Sequence, residues 1–446
     1  MKKLKWILLT LLLLLLVIIV YNYPKLNAIS GYSAKNMSSS VFVAKRSAAY
    51  TDQHDNNLPI IKLAKDVVDS DKKSASATVF GLMKREAIYR EGLGSVLIND
   101  DYDPDVPYLK PNRQNTNTRL PYPYGTLPQK DTLLNEIDYD ALKKAVANAF
   151  DTPEETVKNT RAVLVVYKDQ IIAEKYAEGL TKDSRILGWS MTKSLVSTLI
   201  GILVKEGKLS LDTPAPFEEW QNDDRKHITI NHLLQMSSGL AWEEDYETLS
   251  DVTRMLFLET DMTRSEIDNT LEHEPGTFWN YSSGTSNLLS GLIRKQFKTH
   301  QEYLDFPYSA FIDKIGMHSM LLETDLSGNY VGSSYAWATA RDWAKFGLLY
   351  LHKGRWNGEQ VIDSSWVDYV ATPVLDSDKK YGGHFWLNAG GAMPDAPKDI
   401  FYARGFQGQR VFIIPSKDMV IVRLGLSDRG AVDFNAMLTA ILSAVK

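Results

Sequence analysis

The chain opens on an almost unbroken apolar run. Trp6 to Tyr21 is 16 residues interrupted only by Thr10, with six consecutive leucines at its centre, three lysines within Met1–Lys5, and Tyr23 and Lys25 behind it. As a helix the run reaches about 24 Å, just short of the ~30 Å hydrocarbon core of a bilayer. A cleavable leader has a shorter apolar region and a small-residue cleavage site, and Asn22 to Ala28 offers none. Residues 1–25 are therefore read as a transmembrane anchor or uncleaved signal. Lysines ahead of the run and few basic residues just after it put the bulk of the chain outside, on the periplasmic side of a bacterial inner membrane.

From Leu26 to Pro128 the pattern is mixed, with short alternating pieces at Val41–Val43 and Ala77–Phe80. The turn-rich Asp101–Asp105 and Pro121–Gly125 follow. This predicts an accessory β-rich segment and linker over 26–128. Asp138–Phe150 has helical spacing at Leu142, Ala145, Val146 and Ala149, and Arg161–Ala177 reads as two strands around Lys168-Asp169-Gln170. Met191–Val204 is apolar on every face, which predicts a buried helix, closed by Gly207. Helical stretches fill 229–350, Gln409–Ile414 and Met419–Leu424 read as strands, and Asp433–Val445 as a last helix. The expected fold is α/β of the α+β type: an antiparallel sheet flanked by helices over 129–446, with an inserted helical subdomain at about 216–330.

Composition narrows the function. Fifty basic against 55 acidic residues give a net charge of −5, although residues 1–25 carry four lysines and no acid. Nucleic acid is not an expected partner, because phosphate binding needs a basic face. With no Cys, disulfides, thiolate nucleophiles and Cys-ligated metals are excluded. The eight histidines show no His-x-x-x-His spacing, so no metal and no cofactor is expected. Gly-x-Ser-x-Gly is absent as well.

Ser190-Met191-Thr192-Lys193 is one of four Ser-x-x-Lys motifs. Ser70/Lys73 and Ser377/Lys380 lie in polar strings and Ser443/Lys446 at the carboxyl end, so only Ser190 opens a buried helix. A helix amino terminus favours negative charge developing on a hydroxyl, and residues three apart share a face, so Lys193 can reach Ser190. A lysine taken into an apolar interior has its charged form disfavoured and becomes a usable base. The competing reading is a helix-capping serine beside a lysine that snorkels to solvent. Downstream, Glu274-Pro275-Gly276 is a turn that delivers Tyr281-Ser282-Ser283 ahead of another helix.

In this order the motifs resemble the class C β-lactamase-like serine hydrolases, which include D-alanyl-D-alanine carboxypeptidases, esterases and 6-aminohexanoate-dimer hydrolases. His232–Leu240, Ala338–Gly347 and the closing strand pair look like that family too, and the likeness spans about Asp138–Lys446. The resemblance implies that Ser190 is a nucleophile forming an acyl-enzyme, Lys193 its base, and Tyr281 a proton relay. Two departures stand out. The family's Tyr-x-Asn is Tyr281-Ser282-Ser283, and its Lys-Thr-Gly falls at Ala403-Arg404-Gly405, followed by Phe406-Gln407. Ser283, Arg404, Gly405, Phe406 and Gln407 are the expected substrate-binding positions. An N–H near Phe406 would join that of Ser190 as an oxyanion hole, and Arg404 either binds a carboxylate or points away. The expected partner is a small-molecule ester or amide, with esterase or amidase activity in place of β-lactam hydrolysis. A turnover-poor penicillin-binding or cell-wall sensor is the alternative.

Overall fold

The computed structural model describes residues 2–99, 102–114, 118–129, 132–152 and 157–446; Asp101 of the turn-rich stretch lies outside them. Six strands form the central sheet in the order Trp386–Leu387, Phe401–Gly405, Gln409–Ile414, Met419–Gly425, Thr160–Tyr167, Gln170–Tyr176, each antiparallel to its neighbour. Alternation along these strands builds two cores, because successive side chains leave opposite faces. Ala162, Leu164, Val166, Val411, Ile413, Val420 and Val422 pack toward helices Met191–Lys205 and Ala340–Leu351. Val163, Val165, Phe412, Ile414 and Ile421 face helices Tyr139–Asn148 and Phe434–Ser443. At about 1.5–3 kcal/mol for each large side chain removed from water, the two faces hold the layers together. Helices Ile230–Leu234, Ser283–Arg294 and His300–Pro307 join the core over the first face, and helix Asp251–Leu258 packs in a separate cluster with Trp189, Trp242 and Trp337. The α+β architecture expected from the sequence is the one observed.

The amino-terminal region departs from expectation. A single helix, Lys2–Phe42, runs through the 25/26 boundary and through Val41-Phe42, which the pattern assigned to a strand. Its first half is exposed and apolar, whereas Ser30–Ser40 is almost wholly buried. The buried stretch carries Ser30, Gly31, Ser33, Ala34, Ser38, Ser39 and Ser40, small residues that admit close neighbours yet do not read as an apolar stripe. Three of its hydroxyls are satisfied across the interface: Ser30 donates to the Met83 carbonyl, Ser33 to Asp66 and Ser39 to Glu323. One side of this helix rests on a four-stranded antiparallel meander, Ala64–Asp69, Ser74–Val79, Leu82–Arg90 and Gly94–Leu97. The other side is fastened to the main body. Lys35 pairs with Glu323 at 2.6 Å, and Asp55 is clamped between Arg46 and Arg161 at 2.8 and 2.6 Å, all of these groups being buried.

Candidate active site

Ser190 sits at the amino end of helix Met191–Lys205, directly after Trp189, whose φ of 49° is left-handed. That conformation costs a bulky residue about 1–3 kcal/mol and persists only where surroundings enforce it. Here the indole N–H of Trp189 donates to Gln407, and Tyr335 and Phe406 pack against its ring. The turn also needs Gly188, because a Cβ there would lie 2.3 Å from the Trp343 ring. Ser190 makes no capping hydrogen bond with its side chain, and Lys193 is 1% exposed. Neither the capping serine nor the snorkelling lysine is therefore what the chain has built.

The Lys193 Nζ lies 3.2 Å from Ser190 Oγ, 2.9 Å from Ser283 Oγ and 3.0 Å from the Ser333 carbonyl oxygen. Burial pulls its pKa down to about 8, opposed by the charge of Glu244. Glu244 was not legible as a site residue. Its carboxylate accepts from Ser283 Oγ at 2.6 Å and Ser283 N–H at 2.9 Å, and also from the Trp242 indole and the Tyr246 hydroxyl. In sequence it sits within Glu243-Glu244-Asp245, which reads as a solvated charge run; only four convergent donors distinguish it.

Tyr281 has its ring centroid 5.0 Å from Lys193 Nζ, beside Trp279, Tyr381 and Trp386. Burial and the Glu244 charge push its phenol above the ordinary value, with hydrogen bonding to Ser190 and the Arg404 charge opposing. Burial is the largest of these effects and favours the protonated phenol.

The remaining expected residues divide. Gly405 comes so close to the turn before Ser190 that a Cβ would lie 2.1 Å from the Gly188 carbonyl oxygen, and Phe406 packs on the ring of Trp189, the residue before Ser190. Phe406 is 39% exposed and stacks on Tyr246 with ring centroids 5.6 Å apart. Arg404 lies 4.4 Å over the Trp386 ring, and its guanidinium makes no hydrogen bond or ion pair among the described residues. Ser283 and Gln407 do not face an open cleft. Ser283 is fully buried between Lys193 and Glu244, and Gln407 is spent on the Trp189 indole, so both support the site from behind. His384 donates through Nδ1 to the Leu234 carbonyl and is pushed down to about 3 by burial, so it is a neutral core residue. His232 is taken up in a capping box with Thr229.

Comparison with known proteins bears on the family and the fold. The family model described as Beta-lactamase matches residues 152–446. A 6-aminohexanoate-dimer hydrolase of Paenarthrobacter ureafaciens is 25% identical over 311 residues, 64% of this chain and 76% of that protein. Among solved structures, a family VIII carboxylesterase superposes with a TM-score of 0.56 at 14% identity, over 70% of this chain and 98% of that one. A D-stereospecific amidohydrolase from Streptomyces sp. does so with a TM-score of 0.51 at 16% identity, over 67% and 97%. With a family model covering well over half its length and the matching fold around Ser190, this chain belongs to the Beta-lactamase family.

Proposed function

We propose that the chain is a membrane-anchored serine hydrolase that cleaves an ester or amide bond through an acyl-enzyme on Ser190. One observation carries this reading: the hydrogen-bond arithmetic around Lys193. A neutral amine has two N–H bonds and one lone pair. The Ser333 carbonyl can only accept, and the Ser283 hydroxyl spends its hydrogen on Glu244, so it too accepts. Those two partners take both N–H bonds and leave the lone pair facing Ser190 Oγ–H.

In the proposed cycle Lys193 takes the Ser190 proton as Oγ bonds to the substrate carbonyl carbon. The carbonyl oxygen becomes an oxyanion between the N–H groups of Ser190 and Phe406. Collapse breaks the ester or amide bond; the leaving group takes the Tyr281 proton, and the Lys193 ammonium replaces it. Water then reverses the path: it gives a proton through Tyr281 to Lys193, attacks the acyl carbon, and Ser190 regains its hydrogen. A phenol that holds its proton suits the donor half of that exchange.

The named activity of the Paenarthrobacter relative, cleavage of an amide between amino-acid units, supports small linear amides as substrates. The free guanidinium of Arg404 beside Tyr281 supports an anionic group on the substrate. Arg404→Met is then expected to raise KM for carboxylate-bearing substrates by roughly tenfold, the loss of one charge-assisted contact, with neutral esters unaffected.

Full-length protein in detergent micelles, assayed on p-nitrophenyl butyrate, tests the proposal. Sustained turnover that vanishes in Ser190→Ala is the expected result. Release of a single equivalent of p-nitrophenol would identify an acyl-trapping sensor, and turnover surviving in Ser190→Ala would remove Ser190 from the reaction.

A further inference from the structure

The amino-terminal meander has an apolar end and a charged end. At one end the hairpin between Ser74–Val79 and Leu82–Arg90 turns through Phe80-Gly81, with φ of 53° and 75°. A two-residue turn of positive φ favours Asn-Gly or Gly-Gly, and an aromatic there is held at a conformational cost. Phe80 is nevertheless 72% exposed and Leu82 47%. Pairing of Ala64 with Val79 brings Ile60 and Leu63, 48% and 44% exposed, to the same end. At the other end the turn after Asp69 is Ser70-Asp71-Lys72-Lys73, wholly polar.

The apolar end points at the exposed half of the long helix. Tyr89 touches Phe42 at the helix's carboxyl end, and the Met83 carbonyl accepts from Ser30, so strand Leu82–Arg90 runs along the helix with its tip toward Tyr23. From Met83 the strand runs one residue further to Leu82 before the turn at Phe80-Gly81, about 5 Å in all, which matches about one turn of helix from Ser30 to Leu26. The tip thus lies about one helical turn beyond Tyr23, where the exposed half of the helix ends; the apolar run Trp6–Tyr21 reaches about 24 Å of the ~30 Å hydrocarbon core, so a tip one turn past it falls at the level of the headgroups. Lys62 and Lys84 flank the tip and are exposed, which suits lipid phosphates.

We propose that Phe80, Leu82, Ile60 and Leu63 dip into the outer headgroup layer of the bilayer that the amino-terminal helix crosses. The inference rests on reading that helix as membrane-spanning. A single helix leaves an attached domain free to rotate and tilt, whereas a second contact beside it fixes the catalytic body over the lipid surface. The nearness of this exposed apolar tip to the exposed apolar half of the helix is what selects lipid as the occupant.

The absence of Cys makes the test direct. Single-Cys variants of the full-length chain, Leu12→Cys, Phe80→Cys and Asp71→Cys, would each carry one nitroxide in vesicles of phosphatidylcholine and phosphatidylglycerol. Collision with oxygen reports lipid, and collision with a water-soluble nickel chelate reports solvent. Labels at 12 and 80 are expected to favour oxygen and the label at 71 the chelate, with the oxygen-to-chelate ratio at least tenfold higher at 80 than at 71. Lipid contact at 12 with water contact at 80 would overturn the docking while keeping the anchor. Water contact at 12 would overturn the anchor and the docking with it. Shielding of 80 from both quenchers would mean a protein covers the tip, which also overturns the proposal.

Discussion

Lys35 and Lys193 both lie in the interior of this molecule, in surroundings that differ. Both are almost fully buried, and burial pulls both below the ordinary lysine range. Lys35 has the Glu323 carboxylate directly against it at 2.6 Å, an ion pair that joins the amino-terminal helix to the main body. Lys193 meets only hydroxyls and a carbonyl; its nearest carboxylate, Glu244, is one hydroxyl away through Ser283. On the proposed function, a single interposed hydroxyl is what separates a structural ammonium from an amine able to exchange a proton.

The largest effect that would break this contrast is on chemistry. Lys193→Ala is expected to lower kcat/KM by roughly a hundred- to ten-thousand-fold, the range for a lost general base. Lys193→Arg should be as inactive, because guanidinium keeps its charge and gives up no proton. Lys35→Met should leave the rate constants unchanged and act on stability. Stranding Glu323 without its cation costs about 3–5 kcal/mol, read from urea unfolding, and Lys35→Met/Glu323→Leu should recover most of it. An active Lys193→Arg, or an inactive but stable Lys35→Met, would erase the distinction.

A smaller effect sharpens it. The proposed cycle uses neutral Lys193, so kcat/KM should rise with pH and level off above about 8, the value to which burial brings this amine. Glu244 favours the ammonium, so Glu244→Gln should move that limb to lower pH while slowing the plateau, since Ser283 loses the partner that fixes its hydroxyl. A variant that is merely less well folded would lose rate without moving the limb. Glu244→Asp, which restores charge, should bring the limb back toward 8.

Much of this architecture was legible where the pattern is local. The hairpin Thr160–Tyr176, the helix Met191–Lys205 and the closing strands have unbroken runs or clean periodicity within single elements. The proximity of Ser190 and Lys193 was legible for the same reason, the two being one turn apart. What was hidden depends on contacts between distant segments. Helix Leu26–Phe42 buries serine, glycine and alanine, which carry no hydrophobic signature, and Lys35 finds its partner 288 positions away. Glu244 looks like a surface acid until the fold brings Trp242, Tyr246 and Ser283 around it. Gln407 was misplaced as a substrate contact because nothing in its neighbourhood shows that the Trp189 indole needs an acceptor.

The central claim is that Ser190 is an activated hydroxyl, and the intact mass of the folded full-length protein after treatment with a fluorophosphonate tests it most directly. One stoichiometric adduct, mapped to the peptide carrying Ser190 and absent in Lys193→Ala, is the predicted result. An unmodified folded protein, or an adduct on another residue, would contradict the account.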